Sequence, residues 1–312
     1  MENSDFLNMY QNSGVFRDFV EEDLKNDFWK WSKHFAGSVP IGPVQGDGFK
    51  SIHFRPQQRR CLNFMMKCIR HGKDLGIKKS QGEGFSWMVT NLAFWLAFSK
   101  ENNRILILEE TPFGAEMSIK MMCLINSLPE CLRGQVDFHF EPLGEDESIL
   151  KMKNGSEIVF CCADLRWDQK YQWDRFSVAF FDNFADWDMK RQFESVVSIQ
   201  QACGSMIAGS CVNGPDNCFE KMFALRGYEL RWQDNPARTK ISYWVNPEGE
   251  IQFEHEHNKN LEGPVKERLR ELVKRGYVVR GMRSDWYDEI CRKETPQYVA
   301  AKYDCDSEVT LI

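Results

Sequence analysis

Several absences in this sequence each remove a class of protein. No apolar run approaches the about 20 residues that a membrane helix needs. The longest runs from Trp87 to Phe98 and is interrupted by Thr90 and Asn91. A soluble chain with no membrane partner is therefore expected. The opening residues, MENSDFLNMY, hold no basic cluster leading into an apolar stretch, so no secretory leader is expected there. No two of the 11 cysteines are spaced as C-x-x-C. That spacing and the odd count fit an intracellular chain without structural zinc. Histidine is scarce, at 6. His255 and His257 alternate in EHEHNK, which a solvated polar strand edge explains better than a metal site. There is no basic excess: 40 Lys+Arg face 46 Asp+Glu, for a net charge of -6. This weighs weakly against a protein that coats nucleic acid and leaves room for a local basic patch. Internal repeats and low-complexity tracts are lacking too.

What remains is a globular chain of 312 residues, 42% apolar. At about 150 residues per domain that allows two domains, or one large α/β domain with an appendage. Residues 1–50 read as an N-terminal lid segment with helix-like Phe16, Phe19, Val20, Leu24, Phe28, Trp29 and Trp31. The Gly/Pro-rich stretch 37–48 follows. From Arg55 the pattern becomes regular. A helix begins near Pro56, with Cys61, Leu62, Met65, Cys68 and Ile69 on one face, and Gly72 ends it. The loop KKSQGEGFS (78–86) precedes an apolar helix to Ser99. Arg104–Leu108 reads as a buried strand, Phe113–Leu128 as a helix buried through Ala115, Ile119, Met122 and Ile125, and Val136–Phe140 as a strand. Asn154-Gly155 between two apolar runs is a hairpin signal. Phe176–Phe181 reads as a strand ending at Asp182, 188–203 as a helix, Ser205–Ser210 as a strand, and Asn217–Leu225 as a helix. Such alternation predicts an open, mainly parallel α/β sheet over 51–226. Residues 227–312 carry more charge, Trp and Tyr, and one clear helix, Pro264–Arg275, striped by Val265, Leu269, Leu272 and Val273. They read as a smaller C-terminal lid or linker subdomain.

Three elements carry chemistry. In the loop Lys79-Ser80-Gln81-Gly82-Glu83-Gly84-Phe85-Ser86, the glycines let backbone N–H groups face an anion, and the following helix adds its positive end. The usual Gly-Lys-Ser/Thr ending is absent. Lys79, at the other end of the loop, would reach the β- and γ-phosphates, and Ser86 keeps a hydroxyl for Mg²⁺. An ordinary Gly-turn before a core helix is the competing account. Asp182 ends a buried strand, as the Mg²⁺-holding Asp of phosphate-loop enzymes does. Asn183 follows where a catalytic Glu usually stands, and an amide is not a base. Ser210, at the tip of another strand, is placed to sense a γ-phosphate.

In this order the segments resemble the ATPase domain of the large terminase subunit, the DNA-packaging motor of tailed phages. Gln58, in Arg55-Pro56-Gln57-Gln58, matches the element that contacts adenine, with Gln57 as the alternative. The loop Lys79–Ser86 is similar to the divergent phosphate loop of that family, with lysine first and an aromatic before the hydroxyl. Ile105–Leu108 with Thr111, Pro112 and Ala115, and the Asn154-Gly155-Ser156 tip, follow in family order. So do Phe176–Asn183, Ile207–Gly214 with Ser210 as the coupling residue, Ser284–Asp288, and Thr295–Asp304. The departures are Asn183 for Glu, Gln81 for Arg, Cys211-Val212 for Thr-Pro, and no Arg-Gly before the acidic strand, where Arg166-Trp167 is nearest. The resemblance implies a sheet of the P-loop NTPase type (RecA/ASCE-like), ATP with Mg²⁺ held by Ser86 and Asp182, and Arg166, Arg175 or Arg226 as a charge-stabilising arginine. It further implies double-stranded DNA, a portal protein and a small terminase subunit as partners, and a ring, pentameric on the portal. The setting would be the host-cell cytoplasm and the procapsid portal, and not the finished virion. The family's nuclease domain has no counterpart before Ile312, so no nuclease activity is expected. Asn183 leaves two functional outcomes open: a working motor using Asp186 or Asp188, or a nucleotide-binding assembly module that hydrolyses poorly. A helicase would need a second sheet domain, for which 227–312 is too short.

Overall fold

The computed structural model describes residues 9, 12–35, 38–40, 49–51, 53–109, 115–128, 130–134, 136–142, 147–162 and 175–311. Thr111, Pro112, Arg166 and Trp167 lie outside them, as do the side chains of Phe16, Phe19 and Val20. The helices are α1 (Gly14–Asn26), α2 (Phe28–Phe35), α3 (Pro56–Arg70), α4 (Phe85–Ser99), α5 (Ala115–Ser127), α6 (Glu130–Arg133), α7 (Met189–Ala202), α8 (Cys218–Leu225), α9 (Glu262–Lys274), α10 (Asp285–Lys293) and α11 (Pro296–Lys302). The strands are β1 (Ser38–Pro40), β2 (Phe49–Ser51), β3 (Leu75–Lys79), β4 (Arg104–Glu109), β5 (Val136–Pro142), β6 (Glu147–Met152), β7 (Glu157–Cys162), β8 (Val178–Asp182), β9 (Met206–Ser210), β10 (Gly227–Leu230), β11 (Ser242–Val245), β12 (Ile251–Phe253) and β13 (Gly281–Ser284).

Eight strands form one sheet in the order β10-β3-β9-β8-β4-β7-β6-β5. Every pair from β10 to β7 is parallel, while β7, β6 and β5 pair antiparallel. Strands β3, β8 and β9 are buried at every position because both faces of the sheet are covered. Along β4, Ile105 and Ile107 face one core with α2, α3, α4 and α5, while Leu106 and Leu108 face a second core with α7 and α8. The N-terminal segment belongs to the first core: Leu24, Phe28, Trp31 and Phe35 are buried in it. Asn154 and Gly155 make the expected hairpin turn, with Gly155 at φ 81°. Among the described residues, no helix is long and apolar enough to cross a membrane.

Several local expectations differ from the structure. Lys78 and Lys79 belong to strand β3 rather than to a loop, and both are buried. Two lysines in a row read as solvated, but each has an acidic partner here. Lys78 Nζ lies 2.7 Å from Glu220, and Lys79 Nζ lies 2.7 Å from Asp182. Helix α5 buries Met117, Met121, Leu124 and Ile125, whereas Ile119 and Met122 are exposed. Two overlapping stripes share the helical period, and only packing selects between them. The core sheet also continues past residue 226, because β10 pairs parallel with β3 as its edge strand.

Beyond β10 a separate apolar core forms around Trp232, Tyr243, Val265, Leu269, Leu272, Tyr287 and Val299. Val273, expected in the α9 stripe, is exposed. The three-stranded antiparallel sheet β12-β11-β13 backs this core. The acidic motif of Ser284–Asp288 has a structural role within it. Fully buried Asp288 accepts from Arg283 and from Arg268 Nε, at 2.8 Å each, and from the Tyr243 hydroxyl. A buried carboxylate persists only when paired in this way.

The sheet meets the start of α4 at Gly209. A Cβ there would lie 2.3 Å from the buried Phe85 ring. We expect Gly209→Ala to destabilise the fold by about 1–3 kcal/mol through overpacking. Urea unfolding measures this, and an unchanged midpoint would show that Phe85 can move aside.

Candidate functional site

In an open α/β sheet, ligands bind at the carboxyl ends of the strands. Here β3 ends at Lys79, β8 at Asp182 and β9 at Ser210, three neighbouring strand tips. Between β3 and α4 the chain turns through Gly82 (φ 79°) and Gly84 (φ 80°), backbone that only glycine adopts freely. Gly84 is the N-cap of α4. The first N–H groups of that helix therefore face outward without helical partners. The loop borders a cleft of ≈ 570 Å³ lined also by Lys120, Asn183, Asp186, Cys211, Tyr298 and Lys302.

Asp182 is the centre of the site. One carboxylate oxygen is 2.7 Å from Lys79 Nζ, and the other accepts from Ser86 Oγ at 2.5 Å. Burial opposes ionisation of Asp182, but the Lys79 charge and the bonds from Lys79 and Ser86 outweigh it and hold its pKa below the usual carboxylate range. Burial likewise opposes the charge on Lys79. The field of Asp182 prevails and raises the Lys79 pKa. Asp182's share of the stability is present above the unfolded carboxylate pKa and fades as pH falls through the lowered folded value. Lys79's share is present below the unfolded amine pKa and is lost as pH rises through the raised folded value. The pair therefore stays charged across the neutral range.

The other expected residues divide between the cleft and its frame. Asn183 is exposed, lines the cleft, and sits in the left-handed region at φ 53°, which Asn tolerates better than most residues. Ser210 is fully buried, and its Oγ accepts from Ala185 N at 3.0 Å, so it holds the loop after Asp182. Ser80 is also fully buried. It donates to the Tyr303 carbonyl at 2.6 Å and accepts from Trp232 N at 3.1 Å. Gln81 N donates to the Lys302 carbonyl at 2.7 Å. Gln58 accepts from Arg55 N at 2.9 Å and donates to the Glu83 carbonyl at 2.9 Å, so its amide braces the loop. Gln57 is buried beside Glu83, with Nε2 at 3.5 Å from the carboxylate. Asp188 caps α7 through Lys190 N and Arg191 N, while Asp186 pairs with Lys302 at 2.7 Å. Arg175 bonds the Gln201 carbonyl, and Arg226 bonds the Asp74 carbonyl at 3.1 Å.

Two residues that frame the loop, Asn235 and Arg238, carried no signal in the sequence, and both meet Glu83 of the loop. Glu83 is 1% exposed and accepts twice from Asn235 Nδ2, at 3.0 and 2.8 Å. Arg238 Nε stands 3.7 Å from Glu83, and its guanidinium lies 4.1 Å from the centre of the Trp286 ring. Asn235 and Arg238 sit in a polar stretch that marks nothing by spacing. The Glu in the loop was the available hint, since a buried carboxylate requires donors. Among the described residues, no cluster of His, Cys, Asp and Glu forms a resident metal centre.

The strand order defines an open, mainly parallel α/β sheet flanked by helices, in which the strand bearing Ser210 lies between the strand that leads into the glycine-bent loop and the strand that ends in Asp182. No protein-family model and no curated protein matches the chain. Solved structures similar to it include the large terminase of a thermophilic bacteriophage in complex with ADP, at 14% identity and TM-score 0.45, covering 59% of this chain and 47% of that one. The bacteriophage HK97 large terminase is similar at 14% identity and TM-score 0.48, over 69% of this chain and 42% of that one. A mutant ATPase domain of a Thermus phage large terminase is similar at 14% identity and TM-score 0.37, over 62% of this chain and 86% of that one. The chain thus spans less than half the length of the first two.

We expect Asp182→Asn to leave Lys79 as a buried unpaired charge and to cost about 3–5 kcal/mol of stability. Adding Lys79→Met should recover much of that loss in the same denaturation assay. A double variant no better than the single would show that the pair is not the cause. Glu83 supplies a pH test. Burial raises its pKa against the opposing bonds from Asn235 and Gln57. Its stabilising share is therefore full below the unfolded value of about 4.3 and is lost as pH rises through the folded value. The stability of the wild type relative to Glu83→Gln should fall as pH is raised from 4 towards neutrality. A pH-independent difference would contradict a shifted Glu83.

Proposed function

We propose that this chain binds and hydrolyses ATP with Mg²⁺ and serves as the ATPase part of a DNA-packaging motor of the large-terminase type. The observation that carries the nucleotide half is the convergence of Lys79, Asp182 and Ser86 beside a glycine-bent loop at the carboxyl edge of a parallel sheet. Ser86 Oγ and the Asp182 carboxylate are neighbouring hard oxygen donors, the ligand type that Mg²⁺ takes. When bound, the ion neutralises charge on the β- and γ-phosphate oxygens. Lys79 turns from Asp182 towards the phosphates, and the first amides of α4 receive the remaining oxygens. Ser210 fixes the loop of Asn183 through Ala185 N, so the end of β9 follows changes in that loop.

The motor half rests on the ordered run of family-like segments from Gln58 to Asp304. In this reading the chain acts on double-stranded DNA through backbone phosphates, since a translocating motor cannot depend on sequence. It assembles as a ring, pentameric on a portal protein, and works with a small terminase subunit and a separate or downstream nuclease domain. Its place is the host cytoplasm and, transiently, the procapsid.

Asn183 favours a second reading, a nucleotide-binding assembly module with little turnover. Its amide is not a base, and the nearby carboxylate of Asp186 is held by Lys302. Lys79→Met abolishes ATP binding under either reading, and two further variants separate them. For a working motor, Asp186→Asn lowers turnover by about 10²–10⁴, the worth of a positioned base. For the impaired module, the wild type already turns over near background and Asn183→Glu raises the rate. Glu at 183 must also bear about 1–2 kcal/mol of left-handed backbone strain. A wild type that binds no ATP would sink both readings.

A further inference from the structure

Lys302 is the last residue of α11, far along the chain from either phosphate-site loop, yet it grips both. Its backbone carbonyl accepts from Gln81 N at 2.7 Å, on the phosphate loop. Its ammonium donates to both oxygens of Asp186, at 2.7 and 2.9 Å, on the loop that follows the acidic strand. Its neighbour one turn back, Tyr298, donates its hydroxyl to Gln81 Oε1 at 3.0 Å. Lys302 and Asp186 both line the cleft that Lys79 and Ser86 enter. The lysine side chain is 14% exposed and the aspartate 27%, so the pair is largely shielded from water yet open to the cleft.

A triphosphate carries several negative charges into this space. Lys79, Lys120 and Lys302 all line the cleft. Asp186 competes with phosphate for Lys302, and the more highly charged ligand wins when it is close. Charge-assisted hydrogen bonds to phosphate are among the stronger polar contacts.

Resting on the ATPase reading above, we propose that Lys302 is a phosphate-binding residue supplied by the C-terminal subdomain, parked on Asp186 until a triphosphate arrives. Its transfer to the terminal phosphate releases the Asp186 carboxylate into the cleft. Because the carbonyl of the same residue holds Gln81, the transfer also pulls on α11 and so links the state of the nucleotide to the C-terminal subdomain. Lys302 binds and senses, and no bond is made or broken at it.

The test compares affinities of the full chain for ADP and for a slowly hydrolysed ATP analogue, each with Mg²⁺, by isothermal titration. Lys302→Met should weaken triphosphate binding about tenfold, or 1.4 kcal/mol, and diphosphate binding far less. Lys302→Arg should restore most of the difference. Asp186→Asn removes the parking partner and should leave triphosphate affinity equal or tighter. A merely structural Lys302 would weaken both nucleotides equally, and that result, or no change in either, overturns the proposal. Should Lys302→Met fail to fold, as judged by its thermal melt, the Lys302→Arg and Asp186→Asn ratios decide it. There, a weaker preference for triphosphate in Asp186→Asn counts against parking. A wild type that binds neither nucleotide overturns the ATPase reading itself, whereas a wild type that binds both with a ratio untouched by Lys302→Met overturns only the role of Lys302.

Discussion

The ion pair between Lys79 and Asp182 is the contact on which the site depends. Both groups are buried at strand ends, so neither could keep its charge there without the other. The pair requires β3 and β8 to end at the same edge of the sheet, with only β9 between them. It is therefore available only in a strand order that brings these two ends together, and the same order places the Gly82–Gly84 bend at the cleft. Lys79 reaches Asp182 because a strand end can aim its amine across the neighbouring strand.

The second constraint is the fastening of the glycine-bent loop, residues 80–84, from outside. Ser80 is bonded to Tyr303 and Trp232, Gln81 to Lys302 and Tyr298, and Glu83 to Asn235. Backbone held in the left-handed region needs such support, because local propensity alone does not keep it there. The C-terminal subdomain is thus part of the site's frame as well as a unit with its own core. A movement of α11 cannot leave the loop undisturbed.

Much of the sheet was legible in the residues. Ile105–Leu108 and Val178–Phe181 are apolar at every position, which marks strands covered on both faces, and Asn154-Gly155 marks the hairpin. Asp182 and Ser86 could be read as a pair because a strand ending in Asp and a loop ending in a hydroxyl recur together. The short strands β3, β10, β11, β12 and β13 were not legible. Lys78 and Lys79 disguise β3, and β11 to β13 are too short for a period to register. In α5 the sequence offered two apolar stripes, and the core took the one through Met117 and Met121.

The sequence by itself determined the alternation of helices and strands from Arg104 to Leu225, the two-faced burial of the central sheet, and the glycine-bent loop with its flanking Lys79 and Ser86. These follow from near-neighbour patterns, periods of two and of three to four residues and the backbone freedom of glycine, which the chain carries locally. Only the tertiary structure decided that Ser210 faces the backbone of Ala185, that Gln58 braces Glu83, that Glu83 is buried against Asn235, and that Lys302 joins both loops. The partners in these pairs are separated by 25, 25, 152 and, for Lys302 and Asp186, 116 residues. At such separations a charge or hydroxyl finds its partner only after the sheet order has set which strand ends adjoin. No pattern within a stretch of chain encodes that adjacency.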